Sequence, residues 1–408
     1  MKNKPVSFIG LSLTLLFSDV TMAQNPAQPP LTYASTYQLA QQDNLDVQAA
    51  RARYAVRRAE IHIAAQRPNP LVTGEAFRDE PHASLVFELP LELGGRRARR
   101  IDVAEAGLKL ADAELADALR KMRRDLRKAF YGVVLGNERI ALAQTEVNTA
   151  QRVVSTAEER YRMGAVAHLE VLQAKLGLAR AQNDLQLEQK QKLAVDADLR
   201  TVLNIAEGLP VSVAGSLLDF SAAFEFPGYQ QAALRQNPDL QSLNRQLEVE
   251  DQRLRLLRAE SYPDVSVMAG SDFLSSDFTV GPRAGIVVEI PIFKKRAGQM
   301  EQSRALQDQL KVAIQANRRR IEGALRSDYA RLQAQQSRVE IFRREIIPAA
   351  EELYRLAEES YREGKSSILT VLDAQKSLRD VRLETVQAEF DFQMAIADLE
   401  EAAGVAIP

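Results

Sequence analysis

The sequence predicts a mainly α-helical protein with a small β part, in which one helix–β-hairpin–long helix–helix unit occurs twice. Residues 96–206 contain no proline and place apolar side chains at spacings of three and four, which is the period of packed helices. Shorter segments with alternating apolar and polar residues lie upstream of the long helical span in both halves. Motifs of the first half return about 200 residues later, which indicates an internal duplication.

The duplication is supported by motifs that keep their order along the chain. AEERYRMG at 157–164 returns as AEESYREG at 357–364, and LEVL at 169–172 returns as LTVL at 369–372. Upstream, the segment ELPL before the first long helix returns as EIPI before the second. Coincidence does not explain several matches in the same order, so we expect two copies of one structural unit.

The repeat divides the chain into predicted segments. They are a signal peptide at 1–23, a first repeat at 24–206 with strands at about 70–91, a linker at 207–228, and a second repeat at 229–408 with strands at about 263–291. One helical pattern runs over 36–67 before the first strands. The second copy has about eight additional residues in its strand region, which we place in a loop tip at 275–282 because loops tolerate insertions.

The first residues have the pattern of an export signal. Lys2 and Lys4 precede an apolar run at 6–17, and small residues at Thr21 and Ala23 provide a cleavage site before Gln24. A membrane-spanning helix needs about 20 apolar residues, so this run is too short to be one. The sequence therefore predicts export across the inner membrane and cleavage after Ala23.

The residue types exclude several functions. The chain has 53 basic and 55 acidic residues, no Cys, and only three His, which are His62, His82 and His168. We therefore expect no metal site, no cofactor and no nucleic-acid partner. Glu158 and Glu159 are adjacent on a helical pattern and point in different directions, which does not suit acid–base catalysis. We predict no catalytic residues and no enzymatic activity.

The alternating segments have one apolar face each. The apolar residues of the second strand share a face and are Leu85, Phe87, Leu89 and Leu91. Glu88 lies on the opposite face of this strand, and Glu289 does so in the second copy. Each strand has about nine to eleven residues, which is the length that a tilted transmembrane β-strand needs.

A single chain offers four such strands, which are too few to enclose water. A lone hairpin in lipid would leave backbone groups unpaired, whereas three chains would supply twelve strands and close a barrel. Glu88 and Glu289 would then face the lumen. A soluble four-stranded sheet that caps a coiled coil is the alternative.

Basic residues follow the strands directly, and they are Arg96, Arg97, Arg99, Arg100, Lys294, Lys295 and Arg296. This position suits anchoring to anionic headgroups at the periplasmic interface. It equally suits the solvation of a helix start.

This organisation resembles the outer membrane factor family, whose type member is TolC. The resemblance is carried by Pro70 and Pro263 before the strands, by LPL and GGR within 89–96, and by YREG and LTVLDA within 361–374. It covers essentially the whole chain after the signal. The compact length, the short first hairpin and the lack of a lipidation Cys look most like the CzcC-type branch, which serves heavy-metal efflux.

The resemblance implies a homotrimer in which a twelve-stranded barrel in the cell outer membrane continues as a periplasmic α-helical barrel. It implies an outer-membrane exit duct of a tripartite efflux system, with heavy-metal cations as substrates. The implied partners are a periplasmic adaptor protein, an inner-membrane RND pump and outer-membrane lipid. It also implies that adaptor hairpins dock at the turn glycines, Gly164 and Gly364, with Lys365 and Ser366 beside the second turn.

The resemblance further implies a constriction just beyond the second turn. The family pattern places two acidic residues three apart there, and this chain has Asp373 at the second position and Thr370 at the first. Glu170 is the matching carboxylate of the first copy, and Tyr361 is its expected partner. The family's basic position holds Ser366, so we hypothesise a Glu170–Tyr361 link in place of an ionic lock. In a trimer Asp373 would form a ring of three carboxylates that attracts cations.

Other functional classes fit parts of the pattern. An exported periplasmic coiled-coil adaptor or scaffold without a pore would also have a signal and long helices. Adaptors flank a single hairpin with split β domains, whereas this chain duplicates the entire unit. A type I secretion exit duct would have the same architecture and a different substrate.

Overall fold

The computed structural model describes residues 30–79, 81–207, 211–218, 226–274, 279–293 and 296–405. The predicted signal peptide lies outside the described residues, and so do Lys294 and Lys295.

The described elements follow the same order in both halves of the chain. The first half contains α1 (Tyr33–Asp43), α2 (Leu45–Ala64), β1 (Leu71–Ala76), β2 (Ala83–Leu91), α3 (Arg96–Arg162) and α4 (His168–Leu203). The second half contains α5 (Phe226–Gln236), α6 (Pro238–Ala259), β3 (Asp264–Leu274), β4 (Thr279–Glu289), α7 (Ala297–Ile341), a π-helical turn (Phe342–Ile346), α8 (Ile347–Arg362) and α9 (Ile368–Ala403). The predicted mainly helical, duplicated architecture is therefore confirmed.

The helical span predicted at 36–67 is wrong in one respect, because it is broken into α1 and α2 at Asn44. The Asn44 side chain accepts hydrogen bonds from the first-turn amides of α2 and donates to the carbonyl of Val202 at 2.9 Å. Asn237 caps α6 in the same way and donates to the carbonyl of Ala402 at 3.0 Å. An N-cap asparagine satisfies amides that the helix leaves free, and each of these also fixes the end of the last long helix of its own copy.

The long helices form the body of the molecule. α3 has 67 residues and is roughly 100 Å long at 1.5 Å per residue. It packs against α2, α4, α6 and α9, so it lies at the junction of the two copies. Its counterpart in the second copy is interrupted by the π-helical turn and Pro348. None of the helices in the described ranges contains an apolar stretch of the length that spanning a lipid bilayer requires.

The four strands form one antiparallel sheet in the order β1-β2-β3-β4, so the hairpins of the two copies join through β2 and β3. Within the part of the chain that the structure describes, β1 and β4 are edge strands with one neighbour each. The loop predicted at 275–282 is wrong in part, because residues 279–282 belong to β4. Residues 275–278 lie outside the described ranges. The additional residues of the second copy therefore lengthen its strands to 11 residues each.

The register gives the sheet one apolar face and one polar face. Phe87 lies opposite Val72 and Ala269, and Ala269 lies opposite Ala284. Cross-strand partners share a face, so the apolar residues predicted on β2 align with those of the neighbouring strands. The apolar face also holds Leu85, Leu89, Leu91, Val265, Val267, Phe273, Val280, Ile286 and Val288. The other, polar face holds all the charged residues of the paired strands, which are Glu75, Glu88, Asp264, Asp272, Arg283 and Glu289. Between them lie Thr73, Ser84 and Ser266 and the apolar Leu71, Val86, Met268 and Val287.

Arginines at the start of α3 bind the ends of the helices that precede the strands. Arg96 forms an ion pair with Asp264 and donates to the carbonyl of Ala259 at 3.2 Å, and only 12% of its side chain is exposed. Arg97 donates to the carbonyl of Ala65 at 2.7 Å, and Arg100 binds carbonyls of the same α2 end. Free carbonyls at helix ends attract cations. Arg96 is thus half-buried and binds backbone carbonyls of the second copy, a role that neither sequence interpretation predicted.

A buried ion pair joins α3 to the last turns of α9. Arg127 and Glu400 lie 3.3 Å apart, with side chains that are 6% and 5% exposed. Arg127 also donates to the side chain of Gln393 at 3.2 Å, and its guanidinium lies 5.2 Å from the ring centre of Tyr33. Because α3 belongs to the first copy and α9 to the second, this network connects the two copies within the core.

Candidate functional site

Both helical hairpins turn by the same backbone geometry. Gly164 and Gly364 have φ of +74° and +76°, the left-handed region that favours glycine. The amide of Gly164 donates to the carbonyl of Tyr161, and that of Gly364 donates to the carbonyl of Tyr361. In each turn the amide of the residue after the glycine also donates to the carbonyl five positions earlier, which completes a Schellman motif. The repeated sequence motif thus specifies a tight, rigid tip in each copy.

The two tips present different chemistry to solvent. Met163 beside the first turn is 74% exposed. At the equivalent place of the second turn, Glu363 forms an ion pair of 2.6 Å with Lys365. The side-chain hydroxyl of Ser366 is buried and has no hydrogen-bond partner in the described part of the chain. The first tip therefore exposes an apolar side chain where the second carries an ion pair.

Tyr361 connects the two hairpins just inside the tips. Its hydroxyl donates to the Glu170 carboxylate, with 3.0 Å between Oη and Oε2. Tyr361 is 2% exposed and packs in an apolar cluster with residues such as Val154 and Val171. Burial, reinforced by the bond to Glu170, raises the pKa of Tyr361 to about 12, so the phenol is protonated at neutral pH and remains a donor. The structure therefore brings the two hypothesised partners together.

Arg160 also contacts Tyr361. This contact was not predicted from the sequence. Its guanidinium lies 4.3 Å from the ring centre of Tyr361, and its Nη1 donates to the Tyr361 carbonyl. The available signal was the difference between AEER and AEES in the two copies, where Arg160 corresponds to Ser360. That difference alone did not identify a partner for Arg160, because the partner depends on how the two hairpins pack.

Asp373 and Thr370 lie near the start of α9, just beyond the second turn, and both are exposed. Asp373 lines a groove of about 430 Å³ between α3, α4 and α9. Arg379 crosses this groove and binds Asp184 of α4 at 3.2 Å. Neither Asp373 nor Thr370 takes part in the Tyr361 contact, so the predicted constriction residues form two separate groups within one chain.

The same groove contains a second polar contact between the copies. Gln375 of α9 donates to Glu146 of α3, with 2.6 Å between Nε2 and Oε1. Burial raises the pKa of the Glu146 carboxyl above its ordinary value. α3 and α9 therefore hold each other through side-chain bonds as well as through apolar packing.

The two strand glutamates lie on the polar face of the sheet, as the alternation indicated. Glu88 is half-buried opposite Leu71 and Met268. Glu289 is exposed at the end of β4, opposite Asp264. In the described ranges, no group of three or more His, Asp or Glu residues has the arrangement of a metal site.

Together, the duplicated helices, the shared sheet and the paired tips define a class of protein, the outer-membrane channels with long periplasmic helices. The family model described as outer membrane efflux protein matches residues 36–204 and 229–405. The chain belongs to the outer membrane efflux protein family.

Individual relatives support this assignment along most of the chain. The cobalt-zinc-cadmium resistance protein CzcC of Cupriavidus metallidurans is 24% identical over 93% of this chain and 92% of its own length. The outer membrane protein OprJ of Pseudomonas aeruginosa is 26% identical over 88% of this chain and 80% of its own length. A solved structure of CusC has a TM-score of 0.76 at 17% identity and covers 92% of both chains. The outer-membrane channel OprN has the same TM-score at 20% identity, covering 91% of this chain and 89% of its own.

These comparisons confirm several sequence predictions. The resemblance to the outer membrane factor family and its CzcC-type branch is confirmed, and so are the function as an outer membrane efflux channel and the location in the outer membrane with a periplasmic portion. The relatives are efflux proteins, not enzymes. The roles of the individual site residues and the domain boundaries stay predictions.

Proposed function

We propose that three copies of this chain form the exit duct of a tripartite efflux system that conducts heavy-metal cations. The observation that carries this proposal is the four-stranded sheet with an apolar face, a polar face and two edges that have no second neighbour in the described chain. Such edges are unfavourable in lipid unless another strand pairs with them. Pairing β4 of one copy with β1 of the next closes a barrel whose polar face encloses water.

The helices offer matching surfaces for the same assembly. α4 packs mainly on α3, and α8 packs on α9, so α4 and α8 are the outer helices of the two hairpins. Each of them exposes leucines, which are Leu169, Leu172 and Leu176 on α4 and Leu353 and Leu356 on α8. Packing α8 of one copy against α4 of the next would bury these side chains in a continuous helical barrel.

We assign the constriction of this duct to the tips of the helical hairpins. The Tyr361–Glu170 bond holds the second hairpin against the first and favours the closed state. Asp373 is exposed near the start of α9, and three copies of it would form a carboxylate ring. A ring of negative charge attracts cations and repels anions, which suits a metal substrate.

Cations as substrates are supported by two further facts. The polar sheet face carries more acidic than basic side chains, including Glu88, Asp272 and Glu289. The relative CzcC is named for cobalt, zinc and cadmium resistance. The tips are the proposed docking sites for a periplasmic adaptor that links the duct to an inner-membrane RND pump.

The substrate proposal is tested by deleting the gene in its own host. We expect cells without the duct to accumulate cobalt, zinc or cadmium, measured by mass spectrometry of washed cells. Reintroducing the gene should restore the wild-type metal content. Unchanged metal content together with the loss of a secreted polypeptide would support a type I secretion duct instead.

Tyr361→Phe is expected to loosen the closed state. The phenylalanine keeps the buried ring but loses the bond to a charged acceptor, which shifts the balance between closed and open channels roughly tenfold. The measurement is the resting conductance of purified channels in planar lipid bilayers. Tyr161→Phe is the matched control, because Tyr161 is the equivalent residue of the first copy and is 45% exposed. Equal conductance of the two variants would contradict the proposed link.

Asp373→Asn is expected to reduce cation preference without opening the channel. Removing three charges from a ring should lower the ratio of cation to anion permeability roughly twofold to fivefold at low salt. Reversal potentials under a salt gradient measure this ratio. Glu384→Gln is the control, since Glu384 is an exposed acid farther along α9. The same reversal potential in both variants would place Asp373 outside the conducting path.

A further inference from the structure

We propose that Arg160 is a positioning residue of the constriction, which holds Tyr361 in place so that its hydroxyl reaches Glu170. This inference rests on the proposed role of the Tyr361–Glu170 link. The first copy then supplies both the basic and the acidic partner of the link, and the second copy supplies the tyrosine.

The contacts of Arg160 fix both the ring and the backbone of Tyr361. The guanidinium lies over the ring at 4.3 Å, within the distance at which cation–π attraction operates. Its Nη1 donates to the Tyr361 carbonyl, which also accepts the turn hydrogen bond from Gly364. Its Nη2 lies 3.6 Å from the place where a Cβ of Gly364 would stand, so the side chain reaches the turn itself. Arg160 of the first hairpin therefore binds the second hairpin at its turn.

The charges around the phenol are arranged for this role. Glu170 approaches the hydroxyl end of Tyr361, whereas Arg160 occupies the face of the ring. The positive charge of Arg160 opposes the rise in the pKa of Tyr361 that burial and Glu170 cause. Arg160 therefore brings a positive charge to a buried ring that already has a carboxylate at its hydroxyl end.

The two copies of the repeat have diverged in a complementary way. Arg160 and Glu170 of the first copy correspond to Ser360 and Thr370 of the second. The counterpart of Tyr361 is Tyr161, whose ring lies beside His168 in an exposed position. The contacts with Arg160 and Glu170 therefore hold Tyr361 of the second copy, and not its counterpart Tyr161. Ser366 stands where the family has its basic residue, and Arg160 brings a basic group to Tyr361 from the other hairpin.

Arg160→Ala is the direct test, with trimers of the full-length chain in planar bilayers. We expect the resting conductance to rise roughly threefold to thirtyfold, because the closed state loses a cation–π contact and a charged hydrogen bond. Arg162→Ala is the matched control, since Arg162 is exposed and donates to the backbone carbonyl of Glu158 on its own helix. Wild-type conductance in Arg160→Ala, with a leak in Tyr361→Phe, would overturn the role of Arg160 and leave the link standing. Wild-type conductance in both variants would overturn the link as well.

Two further variants separate positioning from a general loss of structure. Arg160→Lys is expected to recover most of the closed state, because an ammonium group can also lie over the ring. In a Tyr361→Leu background, Arg160→Ala should add no leak, since the group that it positions is gone. A leak in Arg160→Lys as large as in Arg160→Ala, or additive effects in the double variant, would contradict the proposal.

Cross-linking tests whether Arg160 acts by holding the two hairpins together. The chain has no Cys, so Gly177→Cys and Leu372→Cys would be the only thiols. A Cβ at Gly177 would lie 3.6 Å from the Leu372 side chain, which places these positions across the contact of α4 with α9. A short thiol cross-linker should return the leaking Arg160→Ala channel to wild-type conductance. A leak that persists after complete cross-linking would show that Arg160 does not act by holding the hairpins together.

Discussion

Replacing Phe87 with arginine should prevent stable insertion of the protein into the outer membrane. Phe87 lies in β2, on the apolar face of the sheet, and is 44% exposed in the single chain. An arginine on the lipid face of a transmembrane strand costs about 2–4 kcal/mol near the bilayer centre, and every copy of an assembly bears that cost. We expect the variant to lose the heat-modifiable trimer from urea-washed outer-membrane fractions.

The neighbouring residue provides the control for this experiment. Glu88→Arg introduces the same side chain one position later, on the polar face that we assign to the lumen. Because successive residues of a strand point to opposite faces, this variant should insert like the wild type. Equal loss of trimer in both variants, or in neither, would contradict the assignment of the faces.

The strand faces were predictable because they depend on a local period. Alternation along β2 and β4 assigned Phe87 and Glu289 to faces that the register of the whole sheet then matched. The break at Asn44 was missed, since the apolar pattern of α1 runs on into α2 with little change. Asn followed by Leu-Asp is nevertheless an N-cap signature, and Asn-Pro-Asp at 237–239 repeats it.

The tips show which part of a site a sequence motif can specify. The motif located Tyr361 and Glu170, and the turn geometry follows from Gly364 and the residues around it. The Arg160–Tyr361 contact joins residues 201 positions apart, so it depends on how α3 packs against the second hairpin. The role of the arginines at the start of α3 was not predicted from the sequence for a related reason. Arg96 binds carbonyls at the far end of α6, and a pattern of basic residues does not indicate such acceptors.

Glu400→Ala should cause a large loss of stability in the helical body. The substitution leaves Arg127 buried without its carboxylate, and breaking one side of a buried ion pair costs roughly 3–5 kcal/mol. Gln393 and the ring of Tyr33 remain as neighbours, but neither of them carries a compensating negative charge at neutral pH. We expect the urea midpoint of helix unfolding, followed by circular dichroism in detergent, to fall well below that of the wild type.

Glu401, the adjacent residue, provides a control with the same charge and less burial. Glu401 pairs with Arg124 at 2.8 Å, but the side chains are 23% and 40% exposed, so Glu401→Ala should cost at most about 1 kcal/mol. Replacing Arg127 and Glu400 together by methionine and leucine should recover much of the stability, because no buried charge is then left without a partner. If Glu400→Ala were no more harmful than Glu401→Ala, the pair would have to be hydrated in the assembled protein. The joint between α3 and α9 would then depend on apolar packing and on the remaining side-chain bonds, such as the one that Gln375 donates to α3.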